Sequence, residues 1–516
     1  MRRDHRTAGN RNPARLARAT ATTIAGIAVL AAPLQAGQRV APPAVRPTLP
    51  PTSAAPQTVA PPAPQPVVPL PVLSPAQADQ VRSMLASNAL AQGLRYDAPP
   101  PGAGPAPVSD NAALVRAALD HAHAVHAGRL DASDFDGNWG MKPPAFDPLP
   151  GFADAVRRDR IPAWFASLPP PYSGYDGLVK GLATYRAIVA AGGWAKLDTG
   201  PDLSLGSKGP RVLALRQRLA IEDPMVVATG DSFDADLQAA VQRAQRRYGL
   251  NPQGVASSRT IAALNVPAAD RVRQIMANLE RWRWLPEELP RDRIQVNIAA
   301  AVLTVFDGDV PILSMKGVTG APGHETPMLT STIKSIVINP PWNVPTSIAT
   351  NELWPKERKN PGYLKRNGFK VIGDKGLQQA AGNQSALGRY KFDFDNPYSV
   401  YLHDTPSHAK FASFDRLASH GCVRLERPAD LAALLLKGDL IWTPDQIAAA
   451  VKAGKTQRVS LGRPVQVYLL YWTAFASANG QMNFRDDPYH WDSSLAAKVE
   501  ARSAHPLLTL NLKDLL

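Results

Sequence analysis

The sequence predicts an α+β multidomain protein: a helical scaffold, then a small three-helix module, then a β-rich domain interrupted by a helical lid insertion. Three observations carry this. A length of 516 residues suits two to four domains, and 45% apolar residues suits a chain that buries real cores. Apolar residues recur at three- and four-residue spacing as far as about residue 265, the period of helices with one buried face. From residue 293 the pattern changes to alternating or continuous Val- and Ile-rich runs between Gly, Asp and Pro turns, which reads as strands.

The formal charge of +14 suggests nucleic acid until it is located. Seven arginines against Asp4 give a net +6 before residue 40, so about half the excess belongs to a targeting feature, and no nucleic-acid partner is expected. The basic stretch is followed by the uncharged run Ala19 to Gln38, containing "IAGIAVLAA", and by the small-residue site "LQA" before Gly37. Residues 1–36 read as a secretory signal cleaved near Ala36, with an uncleaved N-terminal membrane anchor as the alternative. Residues 37–75 form a Pro/Ala-rich linker, with thirteen prolines and one charge, Arg46, between Ala41 and Pro75. Such a segment buries no core and prefers polyproline II, a semi-rigid spacer.

Residues 76–200 read as the scaffold, with "AALVRAALDHAHAVHAGRL" and "YDGLVKGLATYRAIVAAGGW" as its clearest helices. His121, His123 and His126 invite a metal reading, but 121 and 123 diverge around a helix and no acidic or cysteine ligand adjoins them. They are expected to be structural or surface residues. Residues 201–267 predict three short helices, with Gly206 and Gly209 before the first, Gly249 ending the second and "NPQG" turning into the third. With its spaced leucines, "QRRYGL" and the closing Thr260 to Asn265, this unit resembles the peptidoglycan-binding domain 1 family. One departure is Ala244, where that family usually carries an aromatic residue; it sets glycan binding against a packing role.

A linking helix is expected over 268–292 and the β-rich domain over 293–495, with 496–516 as a C-terminal tail. The strand pattern is interrupted at 342–371 by a helical segment carrying six Lys and Arg against Glu352 and Glu357, a net +4. An insertion of that kind reads as a lid, and its charge suits substrates bearing carboxylates.

Cys422 is the sole cysteine of the chain. Exported proteins use cysteines in disulfide pairs, which one cysteine cannot make within its own chain, so Cys422 is either buried and inert or a working thiol. A thiol attacks as thiolate and needs a base or positive neighbour, exposure, and donors for the developing oxyanion. His403 lies 19 residues upstream at an expected strand end, and His420 lies two residues away. Gly421 permits a tight backbone turn that makes it a candidate oxyanion site.

The stretch "HDTP…SHGCVRL" resembles the L,D-transpeptidase family with the YkuD-type catalytic domain. The family motif falls on His403, Ser419, His420, Gly421, Cys422 and Arg424. The resemblance extends to "NPPWNVP" at 339–345, "ALGRYKFDF" at 386–394, "YLHDTP" at 401–406 and "FRDDPYHWD" at 484–492. With the scaffold and the module, the chain resembles the large, multidomain subgroup.

That resemblance implies Cys422 as nucleophile and His403 as proton donor and acceptor, where sequence proximity alone favours His420. It implies substrate contacts at Ser419, His420, Arg424, Tyr401 and Trp342, and structure and substrate-side polarity for His420. Asp404 is expected to cap its turn instead of joining the catalytic pair. The implied activity is formation of 3→3 peptidoglycan cross-links through a cysteine thioester with release of D-alanine. No metal or organic cofactor is implied. The partners are donor and acceptor peptide stems, with wall-synthesis proteins as further candidates, and the location is the periplasm or cell envelope. The alternatives are an L,D-carboxypeptidase or endopeptidase, in which water replaces the acceptor amine, and a non-catalytic wall-binding protein.

Overall fold

The computed structural model describes residues 69–95 and 110–504. The expected signal and most of the Pro/Ala-rich linker lie outside these residues. Among the described residues no helix is long and apolar enough to cross a membrane.

The scaffold begins with the helix Pro75–Ala91, whose start is written in its sequence. Ser74 Oγ accepts the Gln77 N–H (3.3 Å) while Gln77 Oε1 accepts the Ser74 N–H (3.0 Å), a reciprocal cap followed by Pro at the first turn. The helix Asn111–His126 is capped by Asp110 and turns Leu114, Val115 and Ala118 into a core shared with Val81, Phe152, Ile161 and Phe165. In that helix His121 is buried, and burial together with the Arg129 and Arg283 cations pushes its pKa down to about 4. His126 stacks on Phe146 at 3.9 Å, with Nδ1 against the Leu168 carbonyl.

The helix Ala268–Trp282 joins the parts, and most of its residues are buried on every side, including polar ones. Toward the scaffold, Glu280 accepts the Arg129 N–H (2.7 Å) and pairs with Arg283 (2.9 Å), which also meets the Tyr175 hydroxyl and the Val125 carbonyl. Gly128 makes room for this carboxylate, since a Cβ there would stand 2.3 Å from Glu280 Oε1. Toward the C-terminal domain, Asn278 donates to the Thr473 hydroxyl (2.7 Å) and Arg281 pairs with Asp492 (2.5 Å).

The module contains the helices Pro210–Ala220, Ala235–Arg247 and Ser258–Leu264. Ala244 is buried inside it, so the position bears on packing and not on a ligand-facing surface. Tyr248 stacks on Phe484 (6.0 Å between centroids), the Arg271 guanidinium lies near both rings, and Arg485 donates to the Arg247 carbonyl. The module is therefore bolted to the C-terminal domain by aromatic and cationic contacts.

The strands are β1 (Asp292–Asn297), β2 (Val302–Asp307), β3 (Val310–Gly320), β4 (Leu329–Ile338), β5 (Trp342–Val344), β6 (Phe369–Ile372), β7 (Gly376–Gln379), β8 (Tyr390–Phe394), β9 (Leu402–His403), β10 (Leu417–Ser419), β11 (Val423–Leu425), β12 (Gln457–Leu470), β13 (Ala474–Ala476) and β14 (Met482–Phe484). Nine of them form one sheet in the order β10-β3-β11-β9-β8-β4-β12-β1-β2, and pairing of β2 with β3 closes it on itself. Closure leaves fewer unpaired edges and encloses a core of Ile294, Val296, Leu303, Ile336, Phe392, Leu402, Val423 and Val467.

The insertion differs in extent from the expected 342–371. It carries its own sheet, β5-β7-β6, so it runs on to Gln379. Between these strands lie the short helices Thr346–Ile348, Trp354–Lys359 and Tyr363–Arg366 and a π-helical turn at Ala349–Leu353. Ala349, Leu353, Leu364 and Leu377 give it a separate small core. At the C-terminus the helix Trp491–Ala504 crosses the boundary expected at 495, because Trp491, Leu495 and Val499 are buried in the main core.

Candidate active site

Cys422 lies in the turn between β10 and β11, and Gly421 makes that turn at φ 104°, a conformation that costs glycine little. The turn is braced from inside. Ser419 donates its hydroxyl to the Cys422 carbonyl (2.6 Å) and accepts the Gly421 N–H (3.2 Å). The backbone turn expected at Gly421 is present, and the same geometry bears on the substrate contact expected of Ser419 and on the oxyanion role. Ser419 is buried and holds the turn instead of facing a substrate, and the Gly421 N–H is occupied instead of serving an oxyanion. The Cys422 N–H donates to no group among the described residues, which leaves it as the available donor beside the thiol.

A second brace comes from distant sequence. Thr326 donates to the Gly421 carbonyl (2.7 Å) and accepts the Gly320 N–H (2.9 Å). Tyr489 donates to the Gly320 carbonyl (2.6 Å) and accepts the Thr326 N–H (3.3 Å). Thr326 escapes sequence reasoning entirely. Tyr489 belongs to the segment "FRDDPYHWD", whose spacing from Cys422 gives it no role.

His403 is brought to the thiol by strand pairing. β9 runs parallel to β11 with Leu402 opposite Val423 and His403 opposite Arg424, and the Val423 N–H donates to the Tyr401 carbonyl (3.1 Å). Side chains alternate along a strand, so with Leu402 and Val423 in the core, Tyr401 and His403 share the other face with Cys422 and Arg424. His403 is itself buried, and its Nδ1 lies 2.5 Å from the Asp404 carbonyl. A carbonyl only accepts, so Nδ1 carries the proton and Nε2 keeps the lone pair of a base. Burial, with the Arg424 and Lys391 cations beyond it, pushes the imidazole down to about 3, which keeps it neutral. No hydrogen bond joins His403 to Cys422 among the described residues; such bonds often tighten only when substrate binds. The Asp404 carboxylate accepts the N–H groups of Thr405 and Arg389, both at 2.7 Å, and so caps the turn.

The thiol is half-buried. Burial raises its pKa, against the opposing pull of the Tyr401 N–H, the Tyr401 hydroxyl and the Lys391 and Arg424 cations. Tyr401 in turn lies near the Trp342 indole at the root of the insertion, which favours its ionised form, sits under the Lys391 ammonium (4.2 Å) and meets His403 edge to face. Arg424 is half-buried, and burial lowers its pKa; among the described residues it forms no ion pair with a carboxylate. Lys391 pairs with Asp393 at 2.7 Å. It is a residue that spacing alone does not single out, since it reaches the site only through its pairing with His403 across β8 and β9.

His420 points elsewhere. Its Nε2 lies 2.6 Å from Glu352 Oε1 in the insertion, and its ring stands 4.8 Å from that of His324. Of the residues singled out in the sequence, Cys422, His403, Tyr401, Arg424 and Trp342 gather around one point, whereas Ser419 is internal to the turn and His420 faces the insertion.

The raised thiol pKa has a measurable consequence. The reactive form is the thiolate, so alkylation of Cys422 by iodoacetamide should still be climbing with pH at the ordinary thiol value of 9.0. A rate that levels off near neutral pH would mean a preformed thiolate and imidazolium instead of the neutral pair.

This domain is a closed sheet carrying a cysteine turn beside a neutral, oriented histidine. Residues 291–463 match the family model described as the YkuD L,D-transpeptidase catalytic domain. Residues 208–264 match the "Putative peptidoglycan binding domain" and residues 73–182 the "Scaffold domain". A curated protein of Haemophilus influenzae named "Putative L,D-transpeptidase" is 31% identical over 243 residues, 43% of this chain and 48% of that protein. The chain thus spans about half the length of the curated relative it matches. Among solved structures, the L,D-transpeptidase of Xylanimonas cellulosilytica is 18% identical, covering 53% of this chain and 98% of that one, with a TM-score of 0.18. That of Stackebrandtia nassauensis is 15% identical, covering 53% and 96%, with a TM-score of 0.22.

Proposed function

We propose that this protein is a peptidoglycan L,D-transpeptidase that forms 3→3 cross-links at the cell wall. The observation that carries the reading is the half-buried Cys422 thiol on the face of the β9–β11 pair that it shares with an imidazole whose Nδ1 is fixed on the Asp404 carbonyl, in a domain that matches the L,D-transpeptidase family model. Cys422 Sγ attacks the carbonyl carbon of the third residue of a tetrapeptide stem while His403 Nε2 takes the thiol proton. The oxyanion that forms accepts the Cys422 N–H. The bond to D-alanine breaks, His403 returns the proton to the leaving amine, and a thioester remains. A side-chain amine of a second stem then attacks the thioester, gives up its proton through His403 and releases the thiolate. Because both groups start neutral, the proton moves during attack and not before it. Arg424 and Lys391 supply positive charge for the carboxylates of the stems.

The module and the scaffold support a site of action at the peptidoglycan, which fits export of the chain to the periplasm or cell envelope. The test is incubation of the purified protein with a disaccharide-tetrapeptide, followed by mass analysis of the products and of Cys422. An acyl adduct on Cys422, free D-alanine and a cross-linked dimer are expected. Tripeptide without dimer would replace the transferase with a carboxypeptidase, and absence of both adduct and product would sink the enzymatic reading.

A further inference from the structure

The inserted subdomain at 342–379 is held to the catalytic sheet at two places of different kinds. Its root lies at Trp342, near Tyr401, and is fixed by Gln379, which accepts the Ala386 N–H (2.8 Å) and donates to the Gln384 carbonyl (3.1 Å). Its helical part, residues 346–366, is organised internally. Glu357 accepts the Gly362 and Leu364 N–H groups at 2.7 and 2.8 Å, and Leu353 and Leu364 pack in the small core. Among the described residues one polar side-chain contact joins that helical part to the catalytic domain, from His420 Nε2 to Glu352 Oε1 at 2.6 Å. The other oxygen of the carboxylate faces Lys356 at 3.8 Å. Glu352 sits in the π-helical turn Ala349–Leu353, whose i→i+5 spacing is found often at functional positions. His420 is joined by one peptide bond to Gly421 and stands two residues from the nucleophile.

We propose that Glu352 is a positioning residue for acyl transfer: by holding His420 it seats the helical part of the insertion over the Cys422 turn while the thioester exists. The proposal rests on the cysteine acyl-transfer reading and deepens it by naming the contact that decides the fate of the thioester. Two nucleophiles compete for that carbonyl. An amine gives the cross-link, water gives the free acid, and in both cases the carbon–sulfur bond breaks and the thiolate recovers its proton. A seated cover excludes bulk water and leaves the oriented amine as the attacking group. Glu352 touches neither reacting atom. Its effect falls on the ratio of products and not on the chemistry of the thiol.

The experiment uses the full chain, a tetrapeptide donor and an amine-bearing acceptor stem, with the ratio of hydrolysed to cross-linked product as the readout. Acylation of Cys422 by a small carbapenem is followed in parallel. Glu352→Ala should raise the ratio about five-fold and Glu352→Gln about two-fold, with carbapenem acylation unchanged, since a partly exposed pair of this kind is a modest contact. Hydrogen exchange at Gly362 and Leu364 distinguishes an unseated cover, in which both amides stay protected by Glu357, from an unfolded one. Should Glu352→Ala unfold the insertion, the isosteric Glu352→Gln decides the matter by its own ratio. An unchanged ratio in a folded variant overturns the proposal. A wild-type protein that forms no thioester overturns the acyl-transfer reading instead, so the two failures are distinguishable.

Discussion

Cys422→Ala is expected to leave no acyl-enzyme and no cross-linked product, a loss of at least about 10³-fold in turnover, because no other thiol exists in the chain to take its place. His403→Ala should lose about as much, since nucleophile and base act as a unit and removing either disables both. The two variants differ in what remains. Cys422→Ala cannot be acylated at all, whereas His403→Ala retains a thiol that a small electrophile labels at alkaline pH. His420→Ala should be damaging but incomplete, because its imidazole faces Glu352 and not the thiol. Steady-state turnover with intact-mass analysis of each protein checks the series. If His403→Ala kept most of its activity while His420→Ala was dead, the base would have to be reassigned to His420.

The largest stability effect is expected far from the thiol. Glu280→Ala should cost about 3–5 kcal/mol, because it strips a fully buried arginine of its only carboxylate among the described residues. Arg283 has no exposed side-chain surface, and the same carboxylate satisfies the Arg129 N–H. Arg283 would keep the Tyr175 hydroxyl and backbone carbonyls, which are acceptors but not counter-charges. Glu280→Gln should cost less, since the amide oxygen still accepts from Arg129. A shift of the denaturation midpoint, with activity of the surviving folded fraction unchanged, is the result that fits. A midpoint within error of the wild type would mean that the scaffold is not tied to the linking helix through this pair.

Much of the architecture is legible in single segments. The Ser74 and Gln77 cap, the glycine turns of the module and the strand runs of β1 to β4 follow from local pattern, because capping, left-handed turns and alternation are set by near neighbours. The resemblance of "SHGCVRL" and "HDTP" points to Cys422 and His403 for a similar reason: each lies in a short run that can be matched to the family motif without knowing its distant neighbours. Spacing places the Ser419 hydroxyl and the Gly421 N–H near a nucleophile and lets Gly421 make the turn, but does not show that the two have paired with each other. The insertion is visible as a break in the strand pattern, yet its true end at Gln379 is not, because β7 is defined by pairing with both β5 and β6.

The choice of His403 over His420 as the candidate base rests on the family resemblance; by itself the sequence determined the order of helical and β-rich parts, the single candidate nucleophile and the basic character of the insertion. Each depends on residue type or on period within one stretch of chain. Only the tertiary structure decided that β2 pairs with β3 to close the sheet, and that β9 lies beside β11 so that residues 19 apart share one face. It also decided that His403 is neutral, that Tyr489 braces Gly421 through Thr326, and that His420 reaches Glu352. These follow from burial and from contacts between segments far apart in the chain, and both arise only when the whole core forms at once.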